Sequence, residues 1–214
     1  MKLVTFTHGG STRAGLAAAA SIVDLAPAGY ADVLSFLRAG DAAIQKANEM
    51  LASHGAVIPR SEVKIEAPIP VPPKFICIGL NYLDHAKESG MDVPTTPIVF
   101  AKYSNAVIGP DEAIEIPTVS NEVDYEAEFA FVIGKEGRNI PKDDWENYVF
   151  GYTIVNDVSA RDYQLATSQW TIGKTFDTFG PMGPSIVSKD EIADPHNLRI
   201  GLDLNGQTLQ DSST

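Results

Sequence analysis

The chain has 214 residues, of which 44% are hydrophobic and 21% charged, an ordinary composition for a globular protein. Its formal net charge of −12 argues against nucleic acid and anionic membrane surfaces as partners, because both would repel it. Cys77 is the only cysteine, which excludes an intramolecular disulfide and is typical of a reducing compartment. The sequence contains neither a membrane-length apolar stretch nor a normal secretory signal, so we expect a cytoplasmic protein.

The first 67 residues predict a small domain of mixed α and β structure. Residues 3–7 alternate as in a short strand, whereas residues 8–25 are compatible with either helix or strand. Apolar side chains follow helical spacing over residues 31–53, and Gly40 should divide this stretch into two helices. The proline-rich residues 68–73 form a stiff extended linker, at which we place a domain boundary.

Residues 74–214 predict a second, mostly β domain that begins with a buried strand at 75–78. A short polar helix is expected at 81–90 and a two-residue hairpin turn at Asn205-Gly206. The composition of the intervening segments predicts further strands at 97–101, 113–116, 123–133, 151–157, 184–187 and 198–204, and helices at 143–149 and 160–167.

One predicted strand carries two carboxylates, Glu126 and Glu128. Residues two apart on a strand share a face, with Cα atoms about 7 Å apart. At an effective dielectric near 20, two such charges about 4 Å apart would repel by roughly 4 kcal/mol. The pair therefore indicates a cation between the carboxylates, although an exposed half of a two-faced strand would explain it equally well.

Asp157 supplies a third carboxylate, because it follows the apolar strand that ends at Val155. Three carboxylates without cysteine or histidine suit a hard cation, Mg²⁺ or Mn²⁺, better than zinc. The alternative is that Glu126, Glu128 and Asp157 are unrelated surface residues.

His85 and Glu88 lie three residues apart on a predicted helix, so a histidine oriented by a carboxylate could activate water there. A chance pair on the surface of the helix is the alternative.

Lys174 lies among apolar residues, where it could stabilise an oxyanion or be an ordinary surface lysine. Arg161 and Asp162 form a local pair that favours a structural role. The glycine-rich dinucleotide, P-loop and serine-hydrolase patterns do not occur in the sequence.

Together these residues resemble the fumarylacetoacetate hydrolase family. Residues 77–82, followed by His85 and Glu88, are similar to that family's lid helix with its His–Glu dyad, and residues 124–128 are similar to its metal glutamates. Residues 157–164 resemble the segment that carries its metal aspartate and its substrate contacts, and Lys174 occupies the position of its active-site lysine. The resemblance therefore implies Glu126, Glu128 and Asp157 as metal ligands, His85, Glu88 and Lys174 as catalytic residues, and Arg161 and Gln164 as substrate-binding residues.

The resemblance also implies a fold and a reaction class. We expect an α+β, mainly β protein, a mixed β-sandwich roll with a small α+β N-terminal domain, which forms a homodimer and holds Mg²⁺ or Mn²⁺. The chain resembles bacterial acylpyruvases and 2-hydroxyhepta-2,4-diene-1,7-dioate isomerases of aromatic catabolism, and we expect it to be a member truncated at the C-terminus. Family members act on 2-oxo acids, so the main prediction is acylpyruvate hydrolysis through an enolate stabilised by Mg²⁺ and Lys174.

Other activities use the same residues. An oxaloacetate-type decarboxylase or a hydroxymuconate-type isomerase would need the same electron sink. Some acylpyruvate-cleaving relatives carry arginine at the position of Leu80. A non-catalytic metal-binding module is the remaining alternative, because family members usually continue several dozen residues further.

Overall fold

The computed structural model describes residues 1–53, 55–88, 90 and 92–214. Its contacts divide the chain into two compact units. Unit 1 comprises Met1–Pro70, Ala130–Ile154 and Met182–Ala193, and unit 2 comprises Val71–Phe129, Val155–Pro181 and Asp194–Thr214. The chain first passes from unit 1 to unit 2 within the predicted linker at 68–73, but residues 130–154 and 182–193 belong to unit 1 again. The two-domain division of the sequence therefore stays a prediction.

The described residues form sixteen strands and five α-helices. The strands are β1 (Lys2–His8), β2 (Ser11–Ala17), β3 (Ser21–Asp24), β4 (Val57–Pro59), β5 (Lys64–Glu66), β6 (Ile76–Gly79), β7 (Ile98–Ala101), β8 (Val107–Ile108), β9 (Val123–Asp124), β10 (Ala127–Ile133), β11 (Val149–Asn156), β12 (Ser159–Ala160), β13 (Gly180–Pro181), β14 (Ile186–Ser188), β15 (Arg199–Leu204) and β16 (Gln207–Ser213). The α-helices are α1 (Val33–Ala39), α2 (Asp41–Ala52), α3 (Leu83–Glu88), α4 (Arg161–Gln164) and α5 (Thr171–Lys174). Short 3₁₀ helices cover Ala26–Ala28, Arg60–Glu62, Ser104–Ala106, Lys142–Tyr148 and Lys189–Glu191.

Unit 1 contains most of an eight-stranded sheet in the order β10-β11-β14-β1-β2-β3-β4, with β5 also paired to β1, and the first residues of β10 and the last of β11 belong to unit 2. Alternating side chains of β1 place Val4 and Phe6 in a buried cluster with Ile22 and Ile65. The segment that was compatible with helix or strand forms β2 and β3, because both pair antiparallel in this sheet. The predicted division of the following helix at Gly40 is confirmed by α1 and α2.

Among its described residues, unit 2 contains four two-stranded sheets: β6–β7, β9–β12 and β15–β16 are antiparallel, and β8–β13 is parallel. A buried hydrophobic cluster of this unit contains Ala106, Val158, Ala160 and Phe179. The predicted hairpin at Asn205-Gly206 is confirmed, since both turn residues have positive φ angles of 53° and 80°, as the favoured two-residue turn requires. Mixed α and β structure with mostly antiparallel sheets confirms the predicted fold class.

Several predicted elements differ from the structure. Residues 113–116 form no strand, because the Glu115 N–H donates to the Thr178 side chain at 2.8 Å instead of to a neighbouring strand. The predicted helix at 160–167 is only the four residues of α4, and that at 143–149 is a 3₁₀ helix. Residue 89 of the predicted helix 81–90 lies outside the described residues. In the described part of the chain, the helices are all too short or too polar to span a membrane.

Candidate active site

Every predicted site residue belongs to unit 2. The predicted strand at 123–133 is interrupted, so that Glu126 lies between β9 and β10 whereas Glu128 is the second residue of β10. The Glu126 N–H donates to Asn156 Oδ1 at 3.0 Å, and its carbonyl accepts from the Asp157 N–H at 2.8 Å. The expectation of one continuous strand through both glutamates is therefore wrong, but the same main-chain bonds bring Glu126 beside Asp157.

Asp157 is 3% exposed and is paired with two lysines. Lys102 Nζ lies 2.6 Å from Oδ1, and Lys174 Nζ lies 3.0 Å from Oδ2. Both lysines are only 2% exposed. Such burial is tolerated because each charge has an opposite partner, and a buried ion left alone would be strongly unfavourable.

Lys102 is a site residue that sequence reasoning missed. It follows the apolar strand β7, just as Asp157 follows β11, and this shared position was the signal that could have identified it. Its Nζ also donates to the Val158 carbonyl at 3.1 Å. Burial lowers the pKa of the Lys102 ammonium below its ordinary value of 10.5, and the neighbouring Asp157 carboxylate opposes that shift.

Both oxygens of Glu126 are engaged by cations. Lys174 Nζ lies 2.6 Å from Oε2, and Arg161 Nη1 lies 2.6 Å from Oε1. Arg161 also contacts Asp124 at 2.8 Å and donates to Gln164 Oε1 at 2.8 Å. In this arrangement Arg161 orients Glu126, and the substrate-binding roles of Arg161 and Gln164 stay predictions.

The expected local pair of Arg161 with Asp162 is replaced by the contacts of Arg161 with Asp124 and Glu126. Asp162 instead accepts a hydrogen bond from the Ser120 hydroxyl at 2.7 Å. That bond holds the pKa of the Asp162 carboxyl below its usual value.

Glu128 is held differently, since Asn81 Nδ2 donates to its Oε2 at 2.9 Å. Burial raises the pKa of the Glu128 carboxyl from 4.5 to about 7, and the negative charges of Glu126 and Asp157 add to the rise while the Asn81 bond opposes it. The carboxylates of Glu126 and Asp157 thus repel the negative charge of Glu128, and the nearby Lys174 ammonium offsets part of that repulsion.

The strands β6 and β7 lie beside this cluster. Cys77 pairs with Phe100 across the two strands, and Lys174 Nζ lies 5.1 Å from the centre of the Phe100 ring, within cation–π range. Burial, and then the Asp157 charge, raise the pKa of the Cys77 thiol from 9.0 to about 12. Cys77 is therefore protonated at neutral pH and is not an activated nucleophile.

His85 and Glu88 lie on α3, where their spacing of three places them on one face. His85 is half-buried and Glu88 is exposed. The residues just before the helix are bound to β10, since Tyr82 accepts from the Phe129 N–H at 3.2 Å and Asn81 donates to Glu128. The helix therefore begins next to the carboxylate cluster, and catalysis by the His85–Glu88 pair stays a prediction.

The donor chemistry of the cluster fits a hard divalent cation. Among the residues that the structure describes, no three His, Cys, Asp or Glu side chains are already arranged around an ion, and the Lys174 ammonium lies between Glu126 and Asp157. Nevertheless, Glu126, Glu128 and Asp157 offer only carboxylate oxygens, which Mg²⁺ and Mn²⁺ prefer. A bound cation would also favour the ionised form of Glu128, whose pKa is raised by burial and by the charges of Glu126 and Asp157. The metal site stays a prediction that the residues support.

Comparison with known proteins identifies the family. The model of the fumarylacetoacetate (FAA) hydrolase C-terminal domain matches residues 74–214. The chain is 50% identical over 181 residues to the mitochondrial oxaloacetate tautomerase fahd2 of Xenopus laevis, a match that covers 84% of this chain and 57% of the relative. The chain thus spans less than two thirds of that curated relative.

Solved structures of the family have the same fold. The fumarylacetoacetate hydrolase of Exiguobacterium antarcticum matches with a TM-score of 0.84 and 31% identity, over 100% of this chain and 75% of that chain. The maleylpyruvate hydrolase of Sphingobium sp. SYK-6, in complex with manganese(II) ion and pyruvate, matches with a TM-score of 0.82 and 28% identity, over 100% of this chain and 76% of that chain.

The comparison with the Xenopus relative overturns the expected cytoplasmic location, because that relative is a mitochondrial protein. The expectation depended on the single cysteine and on finding neither a membrane-length apolar stretch nor a normal secretory signal, and these features do not distinguish one reducing compartment from another. The fold expectation, in contrast, is confirmed by the family model and by the matched structures. The chain belongs to the fumarylacetoacetate hydrolase family.

Proposed function

We propose that this chain carries the active site of a metal-dependent enzyme that interconverts the keto and enol forms of a 2-oxo dicarboxylic acid of the oxaloacetate type. The observation that carries the proposal is the convergence of two buried lysines, Lys102 and Lys174, on the Asp157 carboxylate. The relationship to an oxaloacetate tautomerase over most of this chain supports the substrate class.

The reaction moves one proton and creates a transient negative charge. When the C3 proton of the keto acid leaves, the C–H electron pair moves toward C2 and the 2-oxo oxygen becomes an enolate. Protonation of that oxygen gives the enol, and protonation of C3 restores the ketone. The enzyme therefore has to stabilise negative charge at one oxygen, and fixed cations in a water-poor site do this most effectively.

Lys174 is suited to this role because its ammonium is held in place before substrate arrives. It is bound to Glu126 and Asp157 and packs on the Phe100 ring, so little reorganisation is needed when charge develops nearby. Lys102 balances the other oxygen of Asp157. Glu126, Glu128 and Asp157 would hold the divalent cation, which when bound would act as a Lewis acid that polarises the 2-oxo group.

A second candidate is hydrolysis of a C–C bond in an acylpyruvate, which the sequence favoured. The position of α3 supports it, because Asn81, two residues before the helix, is bonded to Glu128. His85 and Glu88 could deliver water to the distal carbonyl of such a substrate. Decarboxylation of oxaloacetate would use the same enolate without an attacking water.

The two candidates predict different responses to two substitutions. The protein with Mg²⁺ is assayed for decay of the oxaloacetate enol, for CO₂ release and for acylpyruvate cleavage, each corrected for the buffer rate. Lys174→Met should slow the interconversion about 10²-fold or more, the scale of losing one oxyanion-stabilising group, whereas the exposed Lys46→Met is the matched control. Glu88→Gln should leave the interconversion nearly unchanged. Faster turnover of acylpyruvate than of oxaloacetate enol, together with a roughly 10²-fold loss in Glu88→Gln, would reject the proposal in favour of hydrolysis.

A further inference from the structure

The hairpin β15–β16 presents two polar side chains toward the rest of unit 2. Its register shifts between Leu202 and Asp203, which pair with Gln210 and Thr208, so Leu209 is an extra residue on β16. A bulge of this kind re-aims the side chains that follow it. After it, Gln210 and Ser212 are half-buried while their neighbours are exposed.

Gln210 uses its whole amide group to bind the main chain of Ala127. Its Oε1 accepts from the Ala127 N–H at 2.9 Å, and its Nε2 donates to the Ala127 carbonyl at 2.8 Å. Ala127 is 5% exposed, so these groups would be costly to leave without partners. The Gln210 side chain therefore makes the two main-chain hydrogen bonds that a neighbouring strand would otherwise make to the first residue of β10.

Ala127 is the residue between the two glutamates of the cluster. The preceding N–H, that of Glu126, points to the other side and is held by Asn156. Two amide side chains thus fix adjacent peptide groups from opposite sides. The directions of the Glu126 and Glu128 side chains follow from the orientation of these peptides.

We infer that Gln210 is a positioning residue, which sets the spacing of the Glu126 and Glu128 carboxylates and thereby the affinity of the site for a divalent cation. The inference deepens the proposed function and rests on it for the role of these glutamates. Both hydrogen bonds of the Gln210 amide group go to the main chain of Ala127, so this side chain acts on the glutamates through that main chain. Partners that orient ligands in this indirect way change metal affinity by ten- to a hundredfold when removed.

The test measures Mg²⁺ affinity by calorimetric titration, which does not depend on turnover. Gln210→Met keeps the length and removes both hydrogen bonds, and Gln207→Met makes the same change at an exposed position of the same strand. We expect Gln210→Met to bind Mg²⁺ about tenfold more weakly than the parent and Gln207→Met to bind it equally well. Gln210→Asn, whose amide is one methylene too short to reach both Ala127 atoms, provides the same comparison if the methionine variant fails to fold.

The outcomes separate positioning from a merely structural role. If the Gln210 variants lose thermal stability but bind Mg²⁺ like the parent, the inference is wrong, and a parent protein that binds no Mg²⁺ would also overturn it. A parent that binds Mg²⁺ tightly without interconverting oxaloacetate would reject the proposed function, while weaker binding in the Gln210 variants would still support positioning.

Discussion

Glu128→Gln should stabilise the metal-free protein above neutral pH. In the folded chain the pKa of the Glu128 carboxyl is raised from 4.5 to about 7, chiefly by burial. Between these values the folded state binds a proton that the unfolded state has released, so the contribution of this group to the free energy of unfolding falls as the pH rises. Each unit of pKa corresponds to 1.36 kcal/mol, so the ionised group should cost about 3 kcal/mol above pH 7.

A neutral glutamine removes this cost and can still accept the hydrogen bond from Asn81. Urea unfolding of both proteins in the presence of a chelator should therefore give free energies that are similar near pH 4 and differ by up to about 3 kcal/mol in favour of Glu128→Gln near pH 8. Glu136→Gln, a substitution at an exposed position, should show no such pH-dependent gain. A Glu128→Gln effect of equal size at pH 4 and pH 8 would refute the electrostatic argument.

Two further substitutions test how Lys102 and Lys174 are held. Lys102→Met should lower the free energy of unfolding by about 3 kcal/mol, because it leaves the buried Asp157 with one cation instead of two. The control Lys46→Met, which breaks an exposed ion pair, should lower it by less than about 1 kcal/mol. Similar urea midpoints for the two variants would contradict this expectation. Gly173→Ala should cost about 1–3 kcal/mol and lower turnover, because the added Cβ would lie 2.4 Å from the Gln164 main-chain nitrogen and would push the neighbouring lysine out of position. Unchanged thermal stability and activity of the alanine variant would contradict this expectation, because the backbone would then have adjusted to the added Cβ without loss of stability.

The sequence determined those features that depend on neighbouring residues along the chain. Gly40 divided the N-terminal helix, and Asn205-Gly206 formed a hairpin, because each conformation is set by the residues that adopt it. The family was also readable from the sequence, since its motifs are short and occur in order. Glu126 and Asp157 are also predicted from local sequence, because each is an acidic residue at the start or the end of an apolar segment.

Only the tertiary structure decided which distant residues complete the site. Lys102 approaches Asp157 across 55 positions of sequence, and Gln210 reaches Ala127 across 83. A lysine and a glutamine are both common at solvent-exposed positions, so residue type alone does not show that these two side chains are wholly or partly buried. Their burial follows only from the packing of the strands. The break in the strand at Glu126 has the same origin, because its N–H is bound by the Asn156 side chain and not by a neighbouring strand. Local residue preference predicts an extended segment there. Whether a main-chain N–H bonds to a neighbouring strand or to a side chain, however, depends on the tertiary packing.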